Sequence, residues 1–158
     1  MIDIHIISDK DCENIVLWNK NKGENFLFQW AGRTVYKYPL TADQMIRRRE
    51  LSKQIYAIYK DKILIGSIEF CDKNILTLHI ARFILAEDVR NKGVGQTILN
   101  EIVQSIFETT NYKKITLSVF CFNKAAISCY KKVGFEIEKI NKNTVKNWDS
   151  YLMSISRI

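Results

Sequence analysis

Residues 75–96 read ILTLHIARFILAEDVRNKGVGQ, an apolar run that ends in charged and glycine-rich residues. The long apolar run 75–86 predicts a strand. Beyond Arg90-Asn91-Lys92-Gly93-Val94-Gly95-Gln96 the period changes: Val94, Ile98, Ile102, Ile106 and Phe107 fall on one face of a helix. The segment is therefore strand, glycine loop, helix. Two glycines let the backbone approach a ligand, and the helix start offers unpaired N–H groups at the positive end of its dipole. Arg90 and Lys92 add charge there, and the combination suits a pyrophosphate. Glycines before helices also serve ordinary turns, so the loop alone leaves both readings open. A P-loop would need Gly-Lys-Ser/Thr, and the dinucleotide fingerprint a third glycine where Ile98 stands.

Working outward, residues 2–7 predict an edge strand, with Asp9 or Asp11 capping a short helix after it. Residues 23–40 are aromatic and irregular. Thr41-Ala42-Asp43-Gln44 reads as a capping box opening a helix through about Leu51. The runs 54–60 and 62–71 turn at Asp61-Lys62, and Asp72-Lys73-Asn74 is a second turn, so three strands form an antiparallel meander. Downstream, 115–120 is a strand, Asn123 caps a helix, Gly134 ends it, and 135–140 and 151–155 are closing strands. The order β-α-α-β-β-β-α-β-α-β-β is a mixed α/β sheet with helices on both faces, expected as one domain over 1–158.

The 158 residues carry 24 basic and 17 acidic side chains, a net +7. The excess is lopsided: 12 basic against 10 acidic up to residue 79, then 12 against 7. An anionic partner is expected, and nucleic acid, a membrane surface or a phosphate-bearing cofactor all fit that charge. No apolar run reaches the roughly 18 residues of a membrane span, and the N-terminus lacks a signal-peptide pattern. Cytoplasmic localisation follows as an expectation. Cys12, Cys71, Cys121 and Cys129 show no C-x-x-C pairing and are read as reduced, with no metal site.

Asn123 and Tyr130 lie two helical turns apart, on one face. Taken alone they are an N-cap and a half-buried aromatic. With the loop, however, they complete a resemblance to the Gcn5-related N-acetyltransferases (GNAT). That family's acetyl-CoA loop, Arg/Gln-x-x-Gly-x-Gly/Ala, is matched by Arg90, Gly93 and Gly95. Its second signature is matched by Asn123, Ala126, Tyr130 and Gly134-Phe135. Gln29-Trp30-Ala31-Gly32 and Tyr38-Pro39-Leu40-Thr41 are similar to one bacterial branch of the family.

The resemblance implies a GNAT-like acyl-CoA N-acyltransferase fold whose central sheet splays to admit the pantetheine arm. It implies acetyl transfer from acetyl-CoA to an amine in a ternary complex, without metal or covalent enzyme intermediate. By position, the backbone of Phe83, Ile84 and Leu85 would bond the pantetheine and acetyl carbonyl. Arg90, Asn91, Lys92, Gly93, Val94, Gly95 and Gln96 would wrap the pyrophosphate. Asn123 would hold the pantetheine, and Tyr130 would be the general acid. Some members carry a glutamate base where this chain has His79, whose competing reading is a satisfied core histidine. Glu69 is the alternative base, its competing reading a solvent-facing carboxylate, and some members use only ordered water.

Phe28, Trp30 and Tyr38 fall where family members build the acceptor pocket, and equally where a loop would fold over the core. The acceptor is a small-molecule amine or a peptide or protein amine, with no membrane or nucleic-acid partner expected; a non-catalytic acyl-CoA-binding regulator is the alternative. A homodimer through the C-terminal strands is common in the family. Arg47-Arg48-Arg49 reads as a solvated helix face.

Overall fold

The computed structural model describes residues 1–143 and 148–158. Its elements are β1 (Ile2–Ile6), α1 (Asp9–Asn19), α2 (Glu24–Ala31), α3 (Ala42–Ser52), β2 (Ile55–Lys60), β3 (Ile63–Asn74), β4 (Thr77–Leu85), α4 (Val94–Thr109), β5 (Lys114–Phe120), α5 (Lys124–Val133), β6 (Glu136–Asn141) and β7 (Ser150–Ser156). A 3-10 turn, Glu87–Val89, precedes α4. The seven strands form a mixed sheet in the order β1-β2-β3-β4-β5-β7-β6. Three helices, not the expected two, separate the first two strands. The chain divides into two compact units, Met1–Cys71 with Ala81–Val89 and Asp72–Ile80 with Arg90–Ile158.

In the first unit, the extended residue Ser8 caps α1, correcting the expected aspartate caps. Its hydroxyl accepts from Asp11 N at 3.1 Å, and Asp11 closes the box by accepting from Ser8 N at 3.0 Å. Helix α2 lies in the stretch expected to be irregular. Gly23 and Gly32, at φ 88° and 78°, bound eight residues without a β-branched member, and Leu27 and Ala31, four apart, are buried on one face. Thr41 caps α3 as expected, accepting from Gln44 N. The box is only half formed, because the Gln44 carboxamide bonds Lys37 and Pro39 instead.

Asp61 and Lys62, at φ 50° and 68°, make the tight β2–β3 turn. Strand β3 continues through the expected turn at 72–74; the reversal comes at Ile75-Leu76, where Asn74 Oδ1 accepts from Leu76 N at 2.9 Å. The core of this unit gathers Ile7, Ile15, Leu27, Tyr36, Met45 and Ile84. A Cβ at Gly66 would sit 2.7 Å from Ile84 O and 2.8 Å from Leu85 Cδ2. Since the first contact is backbone, Gly66→Ala is expected to lower unfolding stability by about 1–3 kcal/mol in a urea titration.

In the second unit, β4 pairs in parallel with β5 from Thr77↔Lys114 to Ile80↔Leu117. β5 runs antiparallel to β7, and β7 to β6. Helix α4 buries Ile98, Ile102 and Ile106, the predicted stripe, with Leu99 and Val103 beside it. Arg157 ties the last strand to the end of α4 through the carbonyls of Phe107, Thr110 and Tyr112. No helix among the described residues is long and apolar enough to cross a membrane.

Candidate active site

The loop predicted to hold pyrophosphate opens α4. Gly93 is its N-cap at φ 77°, ψ 0°, with Thr97 N bonding Gly93 O at 3.2 Å. Caps Ser8, Thr41 and Asn123 each offer a side-chain acceptor to their helices, whereas Gly23 and Gly93 offer none; α2 has Glu24 in its first turn, and the first turn of α4 holds no acidic residue. The leading N–H groups of a sixteen-residue helix are thus left without a capping side chain. A Cβ at Gly93 would meet nothing within 4 Å, so the space beside the loop is open. Asn91, Lys92 and Gly93 are exposed; Val94, Gly95 and Gln96 are half-buried. Uncapped donors, open space and flanking Arg90 and Lys92 fit a phosphate-bearing ligand.

Asn123 caps α5, its Oδ1 accepting from Ala126 N at 3.4 Å. Tyr130 is half-buried with its ring edge-on to Phe135, centroids 6.3 Å apart. Burial pushes its phenol above the ordinary value, so it stays protonated at neutral pH. Burial likewise raises the neighbouring Cys129 thiol, against a smaller opposing effect of Lys132, which disfavours the thiolate a nucleophile needs. His79 lies on β4 between buried Leu78 and Ile80, its Nδ1 2.7 Å from the hydroxyl of buried Thr116 on β5. Just before Asn123, the rings of Phe120 and Phe122 stack 5.5 Å apart and Trp148 stands edge-on to both at 5.0 Å. The sequence reading missed this cluster; its local signal was the Phe120-x-Phe122 alternation.

In the first unit, Glu69 corrects the solvent-facing alternative, being only 1% exposed. Arg48 grips it with two bonds, Nε to Oε1 at 3.3 Å and Nη2 to Oε2 at 2.8 Å. Arg82 Nη2 adds a third at 2.6 Å, and the Cys71 thiol lies 3.4 Å from Oε2. Burial alone would raise the Glu69 pKa, but the bonds from Arg82 and Arg48 outweigh it and hold the carboxyl below its ordinary value. The arginine triplet is correspondingly not a uniformly solvated face. Arg47 is exposed beside Asp43, Arg48 reaches Glu69, and Arg49 bonds Asp9, Glu50 and Ile7 O.

Phe83 and Leu85 are half-buried and Ile84 is buried in the unit's core. Trp30 packs on that core, donating to Asn19 Oδ1 at 2.8 Å with its ring 6.2 Å from buried Tyr36. Phe28 is half-buried and Tyr38 is exposed. Among the described residues, no group of three or more His, Cys, Asp or Glu side chains is arranged to hold a metal ion.

The family model described as "Acetyltransferase (GNAT) family" matches residues 16–135. Acetyltransferase PseH of Campylobacter jejuni is 30% identical over 95 residues, 60% of this chain and 59% of that protein. L-amino acid N-acetyltransferase AaaT of Escherichia coli is 38% identical over 66 residues, 40% of this chain and 41% of that one. The chain thus matches under two thirds of the length of each. The fold matches the structure of spermidine N-acetyltransferase from Vibrio cholerae in complex with CoA and spermine at a TM-score of 0.78 and 20% identity, covering 98% of this chain and 95% of that one.

Proposed function

The chain belongs to the acetyltransferase (GNAT) family, and on that premise we propose that it transfers an acetyl group from acetyl-CoA directly to a primary amine. The observation that carries this reading is the start of α4: a long helix capped by Gly93 without a side-chain acceptor, open beside the glycine and flanked by Arg90 and Lys92. Coenzyme A supplies the phosphates that such a donor set takes.

The roles follow family position and local chemistry. Residues 90–96 hold the pyrophosphate, and the backbone of Phe83, Ile84 and Leu85 bonds the pantetheine and polarises the acetyl carbonyl. Asn123 orients the pantetheine side. The neutral amine attacks the thioester carbon, and the C–S bond breaks as the tetrahedral intermediate collapses. The proton leaving the amine goes to His79, directly or through water, and the departing sulfur takes the Tyr130 proton. In the tautomer whose Nδ1–H donates to Thr116 Oγ1, 2.7 Å away, the lone pair that takes the proton lies on Nε2. Glu69, with three bonds from two arginines and a lowered pKa, is a poor proton acceptor by comparison. Phe28, Trp30 and Tyr38 remain the proposed acceptor-side residues, of which exposed Tyr38 is the best placed to meet a ligand.

Two outcomes are expected. His79→Gln lowers kcat/KM by about 100-fold, because the proton leaving the amine loses its acceptor; an unchanged kcat/KM moves the base elsewhere. Lys92→Gln raises KM for acetyl-CoA with kcat nearly unchanged, since a phosphate contact is made equally in ground and transition states. The function itself is tested by mass spectrometry of an amine panel incubated with enzyme and acetyl-CoA. An N-acetylated product supports it. Coenzyme A binding without product from any amine indicates the regulator instead.

A further inference from the structure

We propose that the Arg82–Glu69–Arg48 cluster is a positioning device that holds β4 in a kink at Arg82 and so orients the backbone of residues 83–85. The proposal rests on the acetyl-transfer reading above, which gives that backbone its task.

The kink is visible in the dihedral angles. Among the described residues, six non-glycine positions have positive φ: Asn21, Lys53, Asp61, Lys62, Arg82 and Asn91. Five lie in turns or at a helix end; only Arg82, at φ 49°, lies inside a strand. The left-handed region is unfavourable for any residue with a Cβ, and such a conformation persists only where its surroundings over-determine it.

Those surroundings are specific. The guanidinium of Arg82 is drawn to Glu69 Oε2 at 2.6 Å and lies 3.5 Å from Cys71 Sγ. Glu69 is a fixed anchor because Arg48 holds both its oxygens. Arg82 Nε is buried without a partner, so the side chain accepts an unmade hydrogen bond in this pose. Downstream, Ala86 N bonds Ile65 O at 2.8 Å, and Gly66 leaves room for Ile84 O. The segment 83–85 is thus clamped by a side chain at one end and by backbone at the other. None of these clamping groups is required to touch substrate, which makes Arg82 and Glu69 positioning residues.

The test compares Arg82→Ala with Arg82→Gly. Both delete the clamp, and both leave Glu69 paired with Arg48, so the fold is retained. Glycine adopts φ 49° freely, whereas alanine does not. Arg82→Ala is expected to lower kcat by about 100-fold through misplacement of the 83–85 backbone. Arg82→Gly should recover about tenfold of that loss, reflecting the left-handed penalty it relieves. Coenzyme A affinity, read by calorimetry, should follow the same order. In an ordinary strand the order is reversed, because glycine is the weaker strand residue. Arg82→Gly no better than Arg82→Ala in kcat and affinity, or wild-type kcat in both, overturns the clamp. A wild-type protein that neither binds coenzyme A nor acetylates any amine overturns the functional reading instead, and leaves the clamp without a task.

Discussion

Replacing Tyr130 with phenylalanine lowers kcat by between about 10- and 1,000-fold while leaving thermal stability close to wild type. A thiol leaving group has a pKa near ~8.5 and a phenol near ~10, so even a weak acid can protonate the departing sulfur or stabilise it by a hydrogen bond. Burial raises the Tyr130 phenol further. It therefore remains a donor throughout the neutral range and contributes no basic limb of its own there. Phenylalanine keeps the edge-on contact with Phe135, which is why the melting temperature is spared. Steady-state kinetics and thermal melting of the variant separate the two effects. An unchanged kcat removes Tyr130 from the mechanism, and a collapsed melting temperature with proportionate loss of folded protein makes its role structural.

Glu69→Ala is expected to lower unfolding stability by about 3–5 kcal/mol, because two guanidiniums lose their shared counter-ion while Glu69 itself is 1% exposed and Arg48 and Arg82 are 30% and 16% exposed. The same carboxylate makes stability depend on pH in a fixed direction. Burial works to raise its pKa, but the two arginine bonds prevail and lower it. A carboxyl lowered on folding contributes stability that is fully present above its unfolded value of about 4.3 and is lost as pH falls through the folded value. Urea titrations across the acid range should therefore show a wild-type decline that is shallower in Glu69→Gln, which has no proton to gain. Equal acid slopes in the two proteins contradict the ion-pair account.

What the sequence made legible was local. The loop 90–96, the stripe along α4, the cap at Asn123 and the stop at Gly134 each depend on residues within a few turns of one another, and the structure has all four. Helix α2 was missed because the aromatic stretch 23–40 read as irregular, whereas Gly23 and Gly32 bound a helix that buries Leu27 and Ala31. The continuation of β3 through Asp72-Lys73-Asn74 was missed because turn-forming residues also tolerate an exposed strand end. The remaining errors are long-range. Arg48 meets Glu69 across 21 positions, Arg82 meets it across 13, and Arg49 reaches Asp9 across 40. No periodicity encodes such pairs, so the arginine triplet read as a solvated surface, and Glu69 as an alternative base or a solvent-facing carboxylate. One trace was present: Arg82 is a charge in an otherwise apolar run, and such a charge inside a strand requires a partner.

The lopsided charge has a corresponding explanation. Arg48, Arg49 and Arg82 are engaged with carboxylates, while Lys92 stands exposed beside the uncapped helix start.

Release of the coenzyme A thiol, followed with and without amine, tests direct transfer from acetyl-CoA to an amine. No thiol is expected when enzyme and acetyl-CoA are mixed alone, then release equal to the N-acetyl product once an acceptor amine is added. Thiol appearing in amounts matching the enzyme before any amine is present, or bound acetyl-CoA that no amine discharges, would contradict it.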